Sequence, residues 1–205
     1  MPQITSIKPQ KNNRRLNIYL DGKFGFGLDL ENFVKLGLKV EQELTDTQVE
    51  EVVKKAEFQK IYEKILRFAS LRPRSEKEFK NWLQKYKVHD SLYKDLFDKL
   101  KYLDFLDDRK FAVWWVEQRL TFRPKSKLSL KFELKGKGID ENLIKEVLFE
   151  TKVDEVKLAK DLIEKKRYKW EKLDNFEARR KMSEFLARKG FNWEIIRKIL
   201  DINEE

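Results

Sequence analysis

A tetrapeptide that recurs at a fixed distance constrains the fold of this chain more than any other feature. The run Arg72–Ser75 (Arg-Pro-Arg-Ser) returns as Arg123–Ser126 (Arg-Pro-Lys-Ser), 51 residues later. A third, weaker copy lies 52 residues beyond the second, where Gly190-Phe191 takes the place of Gly138-Ile139. A fixed period of this length indicates one supersecondary unit repeated along the chain, and such arrays present long surfaces to long partners.

Helix-start signals divide each repeat into three helices. Thr45 with Gln48, and Ser75 with Glu78, have the spacing of capping boxes, in which each side chain satisfies a free backbone N–H of the first helical turn. Single capping side chains mark the further helix starts: Asp90, Asp107, Asp140, Asp174 and Asn192. Asp174 is followed three residues later by Glu177, which strengthens that signal.

Glycines mark two of the helix ends, because Gly138 and Gly190 stand where a helix terminates in a left-handed residue. Apolar periodicity also runs from Val49 to Ala69. The spacing predicts nine helices, three for each repeat: 58–70, 75–86, 90–102, 107–121, 126–137, 140–149, 153–170, 175–189 and 192–202.

The first 30 residues have the pattern of a β-hairpin. Apolar and polar residues alternate on both sides of Asp21-Gly22, which is a strong signal for a tight turn. A strict two-residue loop pairs Ile18 with Gly25 and leaves the two apolar rows on opposite faces. Either a β-bulge corrects this register or both faces are partly covered. The residues alone leave both alternatives open.

Together these signals predict a mainly α fold. We expect three tandem three-helix repeats in an elongated array, preceded by a small N-terminal β-hairpin module. The predicted divisions are 1–57 for the hairpin and its helix, then 58–106, 107–152 and 153–205 for the repeats. A three-helix unit of about 50 residues is marginal alone, so neighbouring repeats are expected to support one another.

The positive charge is concentrated in one part of the chain. The net charge is +10, yet residues 1–57 hold equal numbers of basic and acidic side chains. Residues 109–137 hold nine basic side chains against Glu117 and Glu133, a net charge of +7. A focused basic field indicates a polyanionic partner, with nucleic acid first among the candidates. The alternative is a lysine-rich solvated helix whose charge serves solubility.

The recurring tetrapeptides combine a structural role with a candidate binding role. Proline ends the preceding helix and serine caps the next one, which leaves the basic residues beside them unexplained. Cations next to helix N-termini, where free N–H groups point outward, suit phosphate or carboxylate binding. The candidate binding residues are therefore Arg72, Arg74, Arg109, Lys110, Arg119, Arg123, Lys125, Lys127, Lys131, Lys135 and Lys137.

No catalytic or cofactor-binding constellation is present in the sequence. The absence of cysteine excludes a thiol nucleophile and a thiolate metal site. His89 is the only histidine and is predicted on the surface at a helix start. Asp107, Asp108 and Glu117 could be read as a metal cluster, but Asp107 is more simply an N-cap. We therefore predict no enzyme activity, no metal and no cofactor.

The tryptophans and the N-terminus add two smaller expectations. Trp82 and Trp193 fall among apolar helix positions and are predicted in the core. Trp114 and Trp115 lie about 100° apart on one helix, so one is expected to be partly exposed. Core packing is favoured over base stacking for this set. The chain has neither a signal-peptide core nor a long apolar span, which favours the cytoplasm.

Seven ordered segments, which together span nearly the whole chain, form a recognisable set: Asp21-Gly22, Arg72–Glu78, Leu100–Ala112, Trp115–Arg119, Arg123–Lys127, Glu133–Ile139 and Arg188–Phe191. This set resembles the signature of the RecX regulatory proteins. Asp104 and Ser126 stand where that family commonly has glycine; this departure concerns local turn geometry and removes no basic position.

The resemblance implies a non-enzymatic modulator of the RecA recombinase, built from three helical repeats. Such proteins bind the RecA–single-stranded DNA filament, lodge in its groove and lower strand exchange, ATP hydrolysis and co-protease activity in recombination, repair and the SOS response. The implied partners are RecA and single-stranded DNA, with duplex DNA as a further candidate and a monomer as the expected state. Filament-end capping and interior destabilisation both remain open. The alternative function is a non-specific basic helical DNA-binding protein without a recombinase partner.

Overall fold

The computed structural model describes residues 1–11 and 13–200, and helices dominate it. The predicted mainly α fold with β structure at the N-terminus is confirmed. The strands are β1 (Ile4–Pro9), β2 (Arg15–Leu20) and β3 (Lys23–Asp29). The α-helices are α1 (Leu30–Leu36), α2 (Asp46–Ser70), α3 (Glu76–Lys85), α4 (Tyr93–Tyr102), α5 (Asp108–Phe122), α6 (Lys127–Gly136), α7 (Glu141–Glu150), α8 (Glu155–Glu164), α9 (Asn175–Arg188) and α10 (Trp193–Leu200).

The predicted helices differ from the observed ones mainly at their ends. The predicted helix 153–170 ends at Glu164, and a 3₁₀ turn at Arg167–Lys169 follows it. A second 3₁₀ turn, Asp90–Leu92, precedes α4, and the Nδ1 atom of His89 caps it by accepting the Ser91 N–H. Residues 201 and 202 of the last predicted helix lie outside the described residues.

A bulge sets the register of the N-terminal hairpin. Pairing shifts between Ile18 and Tyr19, so that Ile18 faces Phe26 instead of Gly25. Of the two alternatives, a corrected register or two partly covered faces, the bulge is therefore the one observed. It places Ile18 and Phe26 on the same buried face of the sheet. The additional strand β1 pairs antiparallel with β2, giving the order β1-β2-β3.

Residues 1–72 and 86–102 form one packing unit. The β-sheet packs on α2, whose capping box is complete: Thr45 Oγ1 accepts the Gln48 N–H and Gln48 Oε1 accepts the Thr45 N–H. The helix α1 was not predicted from the sequence, because seven residues are too few to show a period. The core of this part contains Ile4, Ile18, Phe26, Leu28, Leu38, Leu44, Val52 and Ala56.

Of the described residues, 73–85 and 103–200 form the other unit. Its described part contains α3 and two three-helix groups, α5–α7 and α8–α10. The first group packs around the fully buried Phe111, Leu130, Leu134 and Val147. The second packs around buried residues that include Ala159, Leu162, Trp170, Leu186 and Phe191. No helix in the described part of the chain has the length and apolar composition needed to cross a bilayer.

Four of the predicted single caps are present, whereas His89 and not Asp90 caps the turn that begins at Asp90. Asp107, Asp140, Asp174 and Asn192 each accept a backbone N–H in the first turn of the helix that follows. Of the two tryptophans predicted in the core, Trp82 is half-buried. The prediction of Trp193 in the core is wrong: its side chain is 53% exposed. Trp193 is the first residue of α10, and the core contacts of that helix come from Ile196 and Leu200 further along.

Candidate functional site

The repeated serines build two equivalent contacts, which we name the first and second seams. In the first seam, buried Ser75 at the start of α3 accepts the Glu78 N–H and donates to the Lys137 carbonyl, 2.8 Å away. In the second seam, buried Ser126 at the start of α6 accepts the Ser129 N–H and donates to the Gly190 carbonyl, 2.6 Å away. Each serine therefore joins the start of one helix to the end of another.

Carboxylates from a third helix complete both seams. The Glu76 N–H donates to Asp108 Oδ1 at 2.8 Å, and the Lys127 N–H donates to Glu155 Oε1 at 2.9 Å. Asp108 and Glu155 are the first residues of α5 and α8. Two of the N–H groups at the helix N-termini next to the tetrapeptides, those of Glu76 and Lys127, therefore already have internal carboxylate acceptors.

Burial affects the carboxylate of the first seam. Desolvation raises the pKa of Asp108, and the N–H donated by Glu76 opposes that rise only in part. Asp108 is therefore a structural carboxylate, held by the backbone contact that fixes the start of α3.

Glu133 is the centre of a partly buried group of charges. Its carboxylate accepts from Trp115 Nε1 at 2.8 Å, from Arg119 Nε at 2.6 Å and from Lys125 Nζ at 2.5 Å. Burial by itself raises the pKa of Glu133, but hydrogen bonds from Lys125, Arg119 and Trp115 outweigh it, so this pKa lies below its usual value. The Arg119 guanidinium also lies 4.3 Å from the centroid of the Trp115 ring.

Six of the predicted binding residues form ion pairs within the protein. Besides Arg119 and Lys125, these pairs are Arg109 with Glu146 and Glu150, Lys110 with Asp104, Lys131 with Glu141, and Lys137 with Glu78. Most of these acids lie outside residues 109–137. The charge of +7 for that segment therefore overstates the uncompensated field.

The remaining predicted residues differ in their surroundings. Arg123, Lys127 and Lys135 form no ion pair with any described residue, and Arg123 and Lys135 are exposed. Arg72 and Arg74 are half-buried, and the backbone of Arg74 pairs with Leu106 in a short parallel bridge. The free positive charge on the predicted set thus lies mainly around α6.

Two further cations, Lys166 and Lys189, were missed by the sequence reasoning. Burial lowers the pKa of Lys189, and the positive charges of Lys166, Lys125 and Arg123 lower it further. The two lysine Nζ atoms lie 4.8 and 5.9 Å from the centroid of the same Phe185 ring. Lys189 occupies the position of Lys137 in the next repeat. Carrying the repeat comparison through to the basic residues would have revealed it.

Comparison with known proteins identifies relatives along the whole chain. Residues 2–45 match the regulatory protein RecX N-terminal domain, residues 107–148 the second three-helix domain of RecX, and residues 153–200 its third three-helix domain. Regulatory protein RecX from Bacillus licheniformis is 38% identical over 198 residues, covering 96% of this chain and 75% of the relative. The Bacillus subtilis protein is 34% identical over 206 residues, covering 98% and 77%.

Solved structures give the same result. A crystal structure of regulatory protein RecX superimposes with a TM-score of 0.71 at 26% identity, covering 98% of this chain and 100% of the other. The crystal structure of RecX from Lactobacillus salivarius superimposes with a TM-score of 0.61, also at 26% identity, covering 71% of this chain and 95% of the other.

Proposed function

Because this chain belongs to the RecX family of regulatory proteins, which modulate the RecA recombinase and are not enzymes, we propose that it contacts both RecA and DNA in the filament. It acts in recombination and DNA repair through RecA. Basic side chains would make these contacts, and the protein would act as a monomer in the cytoplasm. The chain would divide into four parts: 1–57, 58–106, 107–152 and 153–205. Light scattering on the purified protein measures its molar mass and so tests whether it is a monomer.

One observation carries the proposed contact. Arg123, Lys127 and Lys135 have no ion-pair partner among the described residues, whereas the lysines and arginines near them are neutralised in pairs. A cation without an internal partner keeps its charge for an external one, and opposite charge steers and orients association. Acidic RecA surface and DNA phosphate are both suitable partners.

RecA ATP hydrolysis on single-stranded DNA tests this function, with the protein titrated in and DNA in excess. Inhibition far below the RecA concentration is expected, because direct action on the filament requires few molecules. Inhibition only when the protein covers the DNA would indicate competition for the strand. That outcome favours the alternative of a non-specific DNA-binding protein. For such a protein, a plot of the logarithm of the DNA-binding constant against the logarithm of the salt concentration has a slope of about −0.7 per single-strand phosphate contacted.

Charge reversal of the unpaired cations is expected to weaken RecA inhibition. The variant Arg123→Glu/Lys127→Glu/Lys135→Glu should need about tenfold more protein for half-maximal inhibition, since each exposed charge contributes a few tenths to 1 kcal/mol. Lys125 is left unchanged because it pairs with Glu133, so its reversal would also alter stability.

A matched control reverses three exposed lysines of the other packing unit: Lys23→Glu, Lys39→Glu and Lys55→Glu. It changes the net charge equally and is expected to inhibit RecA like the unmodified protein. Circular dichroism should show the same helicity for both variants. Equal inhibition by the two triple variants would contradict the assignment of the contact to Arg123, Lys127 and Lys135.

A further inference from the structure

The second seam lacks a carboxylate that pairs with a lysine in the first. In the first seam the Lys137 Nζ lies 2.7 Å from Glu78 Oε1. In the second seam Lys189 occupies the position of Lys137, but Ser129 occupies the position of Glu78. The Ser129 hydroxyl donates to the Lys189 carbonyl at 3.0 Å, so the backbone contact is kept while the carboxylate is missing. The second seam thus holds a lysine without the acid that neutralises its counterpart.

Other cations surround this lysine instead of an acid. Lys166 and Lys189 lie near the same Phe185 ring, and Arg123 and Lys125 add positive charge at Lys189. Among the described residues, no carboxylate pairs with Lys166, Lys189 or Arg123. Lys125 has Glu133 as its partner, which it shares with Arg119.

The fold keeps these like charges together through two helix ends. Lys189 is the C-cap residue of α9, and Lys166 follows Lys165, the C-cap residue of α8. Carbonyl groups at a helix C-terminus favour cations, which offsets part of the repulsion between the two ammonium groups. A bound anion would remove the rest of that repulsion.

We propose that Arg123, Lys125, Lys166 and Lys189 form a binding site for the backbone phosphates of single-stranded DNA. This inference rests on the proposed DNA contact and gives it a location at the second seam. Lysine ammonium groups bind phosphate as point charges, and the guanidinium group of Arg123 can donate two hydrogen bonds to one phosphate.

Exposed aromatic residues favour single-stranded DNA over an acidic protein surface. Phe122, which precedes Arg123, is 73% exposed, and Tyr168, two residues after Lys166, is 66% exposed. Basic side chains combined with exposed aromatic rings are typical of single-strand binding, since unstacked bases stack on the rings while cations contact the backbone. A carboxylate surface would gain nothing comparable from these rings.

Fluorescence anisotropy with a labelled oligothymidylate tests the site in the full-length protein. The variant Lys166→Gln/Lys189→Gln is expected to bind about fivefold more weakly, and its log–log salt slope should be less steep by about 1.4, the loss of two single-strand phosphate contacts. The control Lys145→Gln/Lys181→Gln removes the same charge from lysines that pair with Glu141 and Glu177. It is expected to bind within about twofold of the unmodified protein and to keep its salt slope.

A charge-preserving pair, Lys166→Arg/Lys189→Arg, should retain binding and shows whether charge or packing is responsible. Equal oligothymidylate binding by the two glutamine variants would overturn the site. So would a Lys166→Gln/Lys189→Gln variant that binds DNA normally but loses RecA inhibition, because the cations would then face protein. If the unmodified protein inhibits RecA without binding oligothymidylate, this site fails while the proposed modulation of RecA stands.

Discussion

The substitution Gly190→Ala is expected to lower the free energy of unfolding by about 3 kcal/mol, because it adds steric overlap to backbone strain. Gly190 has a φ of +84°, a conformation that costs alanine about 1 kcal/mol. An added Cβ would lie 2.1 Å from Ser129 Oγ and 2.8 Å from Ser126 Oγ. These hydroxyl groups hold the second seam together, so neither can move without losing a hydrogen bond.

Chemical denaturation of the variant and two controls separates these contributions. Gly37 has a φ of +59° and open space around its missing Cβ, so Gly37→Ala should show the strain alone, about 1 kcal/mol. Adding Ser129→Ala to Gly190→Ala removes the closest oxygen and should restore part of the loss. A Gly190→Ala variant no less stable than Gly37→Ala would show that the second seam does not contribute to stability.

The substitution Glu133→Gln is expected to cost about 2 kcal/mol at neutral pH, because Arg119 and Lys125 lose their common carboxylate. The amide retains the shape of the side chain and one acceptor oxygen, so the packing is preserved. The same change frees two cations, and oligothymidylate affinity should therefore rise while stability falls. Chemical denaturation measures the expected loss of stability, and fluorescence anisotropy on the same sample measures the expected gain in oligothymidylate affinity.

The pH dependence of Glu133→Gln provides an independent check. The pKa of Glu133 is lowered from 4.5 in the folded protein, so its stabilising contribution is complete above that value. As the pH falls below 4.5, Glu133 is protonated first in the unfolded chain. Its stabilising contribution is then lost as the pH approaches the lower pKa that Glu133 has in the folded protein. The stability difference between the two proteins should therefore shrink at acidic pH. A difference that stays constant would show that Glu133 is not held as a carboxylate by its partners.

Local signals predicted most of this fold. The capping box at Thr45, the left-handed glycines at 138 and 190, and the alternation around Asp21-Gly22 each depend on a few neighbouring residues, and all are present. The strand β1 was missed because a strand at the sheet edge is defined by its pairing with β2 more than by its own pattern. Asp104, where the family commonly has glycine, does adopt a left-handed conformation, with a φ of +62°.

The candidate site was harder to predict, because its electrostatics depend on distant partners. Counting charges within 109–137 selected Arg109 and Lys131, whose carboxylate partners lie beyond residue 137. The same count passed over Lys166 and Lys189, which lie at the same Phe185 ring, and Lys189 also feels the positive charges of Arg123 and Lys125. A charge count along the chain therefore cannot separate paired cations from unpaired ones.

The separation of 64 positions between Ser126 and Gly190 has a consequence for how the protein is made. A ribosome adds about 5–20 residues per second, so Ser126 waits roughly 3–13 s before its carbonyl partner has been synthesised. During that interval α6 has its cap but not its docking partner, and the nascent chain exposes a surface that later becomes buried. The final repeat thus completes the folding of the one before it, and a premature stop codon upstream of Gly190 would leave two repeats unfinished rather than one.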